Sequence, residues 1–107
     1  MRYVAKTSES PEPYGYFEFN TFPGCAQLIV SNHAYVKPEL RGKGYGSHQQ
    51  RVKLELAAQL GYNCIICTVH ENNIVEKFIL KKNGWKFCHT FFNTESNKNI
   101  EIWVRDI

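Results

Sequence analysis

Two periods of hydrophobicity divide the chain. A period of two governs its N-terminal part. From Tyr14 to Asn20, Tyr16, Glu18 and Asn20 alternate with Phe17 and Phe19, as in a strand with one buried face. Phe22-Pro23-Gly24 supplies a turn, and Cys25 to Val36 returns as a longer strand that Pro38 ends. Arg2 to Lys6 fits a short edge strand, separated from these by a loop over Thr7 to Pro13 that holds Ser8, Ser10, Pro11 and Pro13. A helical period follows, with Val52, Leu56 and Leu60 on one side and Arg51, Lys53, Glu55 and Gln59 left to face water. Ser47 and Gln50 have the spacing of a capping box, and Gly61 is a stop. The run Cys64 to Val69 reads as a buried strand. A second helix starts at Asn73 with Glu76 in capping-box spacing, carries Ile74 and Phe78 on one side, and stops at Asn83-Gly84. Trp85 to Phe92 and Ile100 to Arg105 close the chain as strands joined by the hairpin loop Asn93 to Asn99.

The order β-β-β-α-β-α-β-β predicts an α+β fold, a mixed twisted sheet of about six strands with two main helices. The unit from Cys25 to Val69 is strand, loop, helix, strand, so a right-handed crossover should make its two strands parallel. At 107 residues the chain is expected to form one minimal domain over 1–107, too short for two independent cores. Its 43% apolar and 21% charged composition excludes disorder. No apolar run approaches the roughly 20 residues of a membrane span, and Met1 to Lys6 lacks a secretory stretch. The expectation is a soluble, cytoplasmic protein. Cys64 and Cys67 form a C-x-x-C, but on a strand they point to opposite faces and cannot close on one metal ion or pair easily. No metal is therefore expected, and the four cysteines read as reduced, mostly buried thiols.

Charge sharpens the picture. The net charge is +3, yet Lys37, Arg41, Lys43, Arg51 and Lys53 cluster against Glu39, and the rest of the chain is slightly negative. The cluster surrounds the glycine-rich loop Arg41-Gly-Lys-Gly-Tyr-Gly46, set between a strand and a helix. Backbone N–H groups converging at a helix N-terminus favour an anion, and glycines let it approach. The phosphate loop of nucleotide hydrolases and the G-x-G-x-x-G dinucleotide motif are both absent, since Gly46 is followed by Ser47-His48 and the spacing is G-x-G-x-G.

Val36-Lys-Pro-Glu-Leu-Arg-Gly-Lys-Gly-Tyr-Gly46 resembles V-x-P-x-x-(Q/R)-x-x-G-x-(G/A), the acetyl-CoA signature of the GCN5-related N-acetyltransferase (GNAT) family. Asn73, Leu80 and Asn83-Gly84-Trp85 resemble the family's N-x₆-Y-x₃-G-(F/W) helix, except that leucine replaces the tyrosine. The two blocks and the strand between them span Cys25 to Phe92, about two thirds of the chain, and very short members of this kind include phage-encoded proteins. The resemblance implies the acyl-CoA N-acyltransferase fold and assigns a cofactor site. Backbone N–H groups of Gly42, Lys43, Gly44, Tyr45, Gly46 and Ser47 would hold the pyrophosphate of acetyl-CoA, and Arg41 takes the Gln/Arg position. Ala34, Tyr35 and Val36 would line the pantetheine by main-chain pairing. Asn73 would contact the pantetheine arm or cap its helix.

The catalytic positions depart from the family. Val30, Asn32 and Thr68 stand where it often places a base, and Leu80 stands where it places an acid. Deprotonating a lysine amine of pKa about 10.4 at neutral pH costs about 4.6 kcal/mol, whereas a thiol of pKa about 8.5 leaves at a cost of about 2 kcal/mol. Losing the acid is tolerable; losing every base is not. His70, His33 and Glu18 remain as candidate bases, the two histidines first, with Glu71 behind them. His70 shares the face of Thr68, whereas His33 faces away from Asn32 unless a bulge intervenes.

The expected function is transfer of acetyl from acetyl-CoA to a primary amine by direct attack. Thr7 to Pro13 is too short for the helices that family members carry between their first two strands. The acceptor side should therefore be open and suit a lysine or N-terminus of a protein. The alternatives are a small-amine acetyltransferase, a non-catalytic acyl-CoA-binding module, and a homodimer whose second subunit completes the pocket through the hairpin Trp85 to Arg105. Lys77, Lys81, Lys82 and Lys86 could serve a nucleic-acid surface but read more simply as a solvated helix face.

Overall fold

The computed structural model describes residues 1–9 and 12–107; of the loop expected over Thr7 to Pro13, Ser10 and Pro11 lie outside the described residues. The strands are β1 (Arg2–Ala5), β2 (Gly15–Phe22), β3 (Cys25–Val36), β4 (Cys64–His70), β5 (Lys86–Asn93) and β6 (Lys98–Asp106). The helices are α1 (Tyr45–Gln59) and α2 (Ile74–Lys82), with a single 3-10 turn at Pro38–Leu40. One sheet orders the strands β1-β2-β3-β4-β6-β5. β3 and β4 run parallel and their neighbours pair antiparallel, which is the mixed six-stranded arrangement that the order of elements predicts.

Register explains which face is covered. Phe19 stands opposite Ser31, Ser31 opposite Cys67, Cys67 opposite Trp103 and Val69 opposite Glu101, so these side chains share one face. With Phe17, Ile29 and Ile65 they form the floor on which Ala57 of α1 and Leu80 of α2 are fully buried. The Lys53 ammonium of α1 lies 5.8 Å from the Phe17 ring centroid, and Lys77 of α2 bonds Glu101 at 3.1 Å, so both helices lie on this face. The other face carries Glu18 opposite Asn32, Val30 opposite Ile66, Thr68 opposite Ile102 and His70 opposite Ile100. There Val30, Asn32 and Ile66 are half-buried, and Thr68 and His70 are exposed.

α1 departs from expectation. Its inward line is Gln49, Gln50, Lys53 and Ala57, whereas Val52 and Leu56 are half-buried and Leu60 is exposed. Lys53, expected to face water, is 3% exposed. Small Ala57 brings the helix close to the sheet, and the Lys53 stem covers apolar surface like any aliphatic chain. Burial pulls the Lys53 amine below its usual range, with the Glu76 carboxylate opposing the shift. The Cys67 thiol beside it is pushed up to about 12, chiefly by burial.

The start of α1 also differs. Its N-cap is Gly44 at φ 88°, with no side-chain cap. Ser47 Oγ instead accepts from Asn83 Nδ2 at 3.4 Å, and Gln50 Nε2 donates to Glu76 Oε1 at 3.0 Å, so both residues of the expected capping box tie α1 to α2. The stop is as expected: Gly61 N–H donates to the Ala58 carbonyl at 3.1 Å and Tyr62 N–H to that of Ala57 at 3.0 Å. Asn73 caps α2, its Oδ1 accepting from the Glu76 N–H at 3.1 Å. Ile74 and Phe78, read as one apolar side, are 71% and 67% exposed. Cys64 and Cys67 point to opposite faces as expected and are half-buried, but Cys25 and Cys88 are exposed; all four thiols are free.

Gly15 fixes the distance between β2 and β3. A Cβ at this position would stand 1.9 Å from the Tyr35 carbonyl oxygen, an impossible contact with backbone. Gly15→Ala is therefore expected to cost about 1–3 kcal/mol, the range of an overpacked site that must shift its backbone. Chemical denaturation checks this, and a wild-type midpoint would contradict it.

Candidate active site

The site begins with a failure of strand pairing. β3 and β4 pair from Leu28–Cys64 to Ser31–Cys67, and the register ends there although β3 runs on to Val36 and β4 to His70. A bulge explains the parting. Tyr16 faces Tyr35 and Glu18 faces Asn32, so Phe17 alone on β2 spans both His33 and Ala34 on β3. His33 takes φ 52°, a left-handed conformation uncommon for a side-chain-bearing residue. Beyond it β3 stays with β2, through Tyr35 and Val36, and leaves β4. Gln49 secures this turn from α1: its Nε2 donates to the carbonyls of Tyr16 (3.0 Å) and Tyr35 (3.3 Å).

A cleft of about 570 Å³ opens on the β3 side of this wedge. Ala34, Tyr35 and Val36 form one wall, and Arg41, Gly42, Gly44, Gly46 and Ser47 line its glycine-rich end. α2 supplies the opposite wall with Asn73, Val75, Glu76, Phe78, Ile79 and Lys82. The volume is that of an ordinary small-molecule pocket. The first helical bond of α1 runs from His48 N–H to the Gly44 carbonyl at 3.1 Å, so the N–H groups up to Ser47 precede the ladder and can meet an anion. A Cβ at Gly44 would meet nothing within 4 Å, which leaves room for a ligand over the loop. Gly46 serves packing: a Cβ there would approach Ile79 Cδ1 at 3.2 Å.

Most expected cofactor residues therefore converge. Lys43 is exposed and does not line the cleft, and the Tyr45 ring packs on Tyr14, centroids 4.7 Å apart, so neither side chain forms part of the cleft wall. Sequence reasoning missed Gln49, Val75, Glu76, Phe78, Ile79 and Lys82. Of the apolar ones only Phe78 belonged to the side read on α2, and it lines the cleft rather than the core; Val75 and Ile79 lay outside that reading.

The two candidate bases are separated. His33 stands at the bulge beside Ala34, and its Nδ1 lies 3.1 Å from Glu18 Oε2. Glu18 also accepts from Arg2 at 3.0 Å. The Arg2 hydrogen bond, and then that of His33, hold the Glu18 carboxyl below its usual range and keep it ionised at neutral pH. An ionised carboxylate only accepts, so Nδ1 is the donor in this pair, and in the neutral ring Nε2 is then the acceptor. His70 lies elsewhere, in a hollow of about 310 Å³ with Glu71, Asn72, Phe92 and Asn97. Leu80 is fully buried and Val30 and Asn32 are half-buried; none offers a proton-transfer group. Among the described residues no cluster of His, Cys, Asp and Glu could hold a metal, and no helix is long and apolar enough to cross a membrane.

No family model and no curated protein matches the chain in sequence. Solved structures do match in shape. An IAA acetyltransferase from Bacillus cereus superposes with a TM-score of 0.86 at 16% identity, covering 99% of this chain and 77% of its own. A Bacillus subtilis acetyltransferase in complex with CoA gives 0.79 at 18% identity, covering 99% and 76%. The ribosomal-protein alanine N-acetyltransferase of Escherichia coli gives 0.81 at 10% identity, covering 100% and 68%. At these identities the likeness speaks for architecture, and it agrees with the two motifs: the chain has the fold of the GNAT acetyltransferases.

Proposed function

We propose that this protein is an acetyl-CoA-dependent N-acetyltransferase acting on a primary amine of a protein. The observation that carries the reading is the cleft itself. It joins the glycine loop, the freed edge of β3 and the apolar side of α2, in the fold of acetyltransferases of which one is solved with CoA. The loop N–H groups fit a pyrophosphate, with Arg41 and Lys82 supplying positive charge. Val75, Phe78 and Ile79 give the pantetheine arm an apolar wall, and the main chain of Ala34 to Val36, released from β4, gives it hydrogen-bonding partners.

In the reaction the amine nitrogen forms a bond to the acetyl carbon, the carbon–sulfur bond breaks, and the amine proton must leave. His33 is the base this arrangement favours. Glu18 fixes its tautomer, and the bulge that parts the strands puts it beside the β3 wall of the cleft. Tyr14, buried with its hydroxyl 2.7 Å from His48 Nδ1 and pushed up to about 12 by burial, is a packing residue and not an acid. The acceptor would enter over the face of the sheet that the helices leave uncovered, which suits a lysine or N-terminus on a protein. The neighbour that acetylates a ribosomal protein gives this choice a precedent in the same fold.

Radiolabelled acetyl-CoA tests the proposal against a lysate and against polyamines, aminoglycosides and amino acids. Label is expected on protein amines and not on the free amines, and Gly44→Asp is expected to abolish it through like charge in the loop. Saturable turnover of a free amine without acetylated protein would overturn the protein acceptor. Tight acetyl-CoA binding with no transfer would reduce the protein to a binding module. The base has its own test. His33→Ala is expected to slow transfer more at about pH 6.5 than at about pH 9, where far more of the amine is already free. His70→Ala should behave like wild type, and the reverse pattern would move the base to His70.

A further inference from the structure

Arg41 does not hang free at the mouth of the cleft. Its Nε donates to the Val36 carbonyl at 2.9 Å, and its guanidinium carbon lies 5.4 Å from the centroid of the Tyr35 ring. Tyr35 stacks on Tyr16, centroids 5.0 Å apart and planes inclined by 23°. Arg2 lies over Tyr16 at 4.2 Å, and its other contact, the Glu18 carboxylate at 3.0 Å, fixes that end. Groups from β1, β2, β3 and the glycine-rich segment thus form one column of cation, ring, ring and cation. The column is not core packing, since both tyrosines are half-buried and both arginines exposed. A flexible arginine loses rotamer freedom when it grips an anion, and a ring that seats it beforehand removes part of that loss from binding.

We propose that Tyr35 is a positioning residue. Its side chain, backed by Tyr16 and Arg2, holds the Arg41 guanidinium over the cleft, ready for the phosphates of coenzyme A. The proposal rests on reading the cleft as a coenzyme A site, and it gives the Tyr35 ring a role besides that of its main chain.

Calorimetry with coenzyme A in a double-mutant cycle tests it. Tyr35→Leu is expected to weaken binding about two- to five-fold, the range of an exposed cation–ring contact. Tyr35→Phe keeps the ring and should rescue the affinity. In an Arg41→Ala background, Tyr35→Leu should cost nothing further, because there is no guanidinium left to seat. S-acetylpantetheine, which lacks the nucleotide and its phosphates, should not distinguish Tyr35→Leu from wild type. Tyr35→Val, suited to a strand, replaces the leucine variant if that one does not fold. An undiminished affinity, or the same loss with and without Arg41, would overturn the positioning role and leave the coenzyme A site standing. A wild-type protein that binds no coenzyme A would overturn the site and the role together.

Discussion

The parting of β3 from β4 is the constraint on which the rest of the molecule depends. Two parallel strands in a sheet normally pair along their shared length, because a buried N–H or C=O without a partner is costly. Here pairing stops at Ser31–Cys67, and the freed half of β3 is held on its other edge by β2. Three contacts maintain this: the bulge at His33, the close approach of Gly15 to the Tyr35 carbonyl, and the two bonds from Gln49. They give β3 a main-chain edge facing a cleft, which a regular sheet lacks. The same bulge turns His33 toward Glu18, so one irregularity shapes both the β3 wall of the cleft and the sheet face that the helices leave uncovered.

The helices accept unusual residues to serve that geometry. α1 buries two glutamines and a lysine where a simple amphipathic helix would bury leucines. Gln49 reaches the bulge, Gln50 reaches Glu76, and Lys53 lies over Phe17 in the field of Glu76. Together with Ser47–Asn83 and the close approach of Gly46 to Ile79, these contacts set α2 against α1 and fix the width of the cleft. α2 in turn leaves Val75 and Phe78 exposed along the cleft, as apolar surface that no part of the described structure covers.

This division of labour explains what could be read from the sequence. Alternation in β2, the helix stops at Gly61 and Gly84, and the order of the strands follow from local chemistry, and all were legible. The glycine-rich turn between β3 and α1 and the cap at Asn73 were legible through motif resemblance, and the structure places the turn at one end of the cleft and Asn73 at the start of α2. The inward face of α1 was not. Periodicity finds apolar stripes, and Lys53, Gln49 and Gln50 are buried for their hydrogen bonds and aliphatic stems. The capping box at Ser47–Gln50 misled for the same reason, because both side chains serve α2. The bulge at His33 entered only as a condition on that residue's direction, since nothing in Asn32-His33-Ala34 specifies a left-handed residue without its neighbours on β2.

The central claim is that the wedge between β3 and β4 opens onto a coenzyme A site walled by α2. Backbone amide shifts during a titration with coenzyme A test it directly. The account predicts the largest changes at Gly42 to Ser47, at Ala34 to Val36 and along α2 from Asn73 to Ile79. Changes confined to the hollow around His70 and Asn97, with the glycine loop and α2 unmoved, would contradict it.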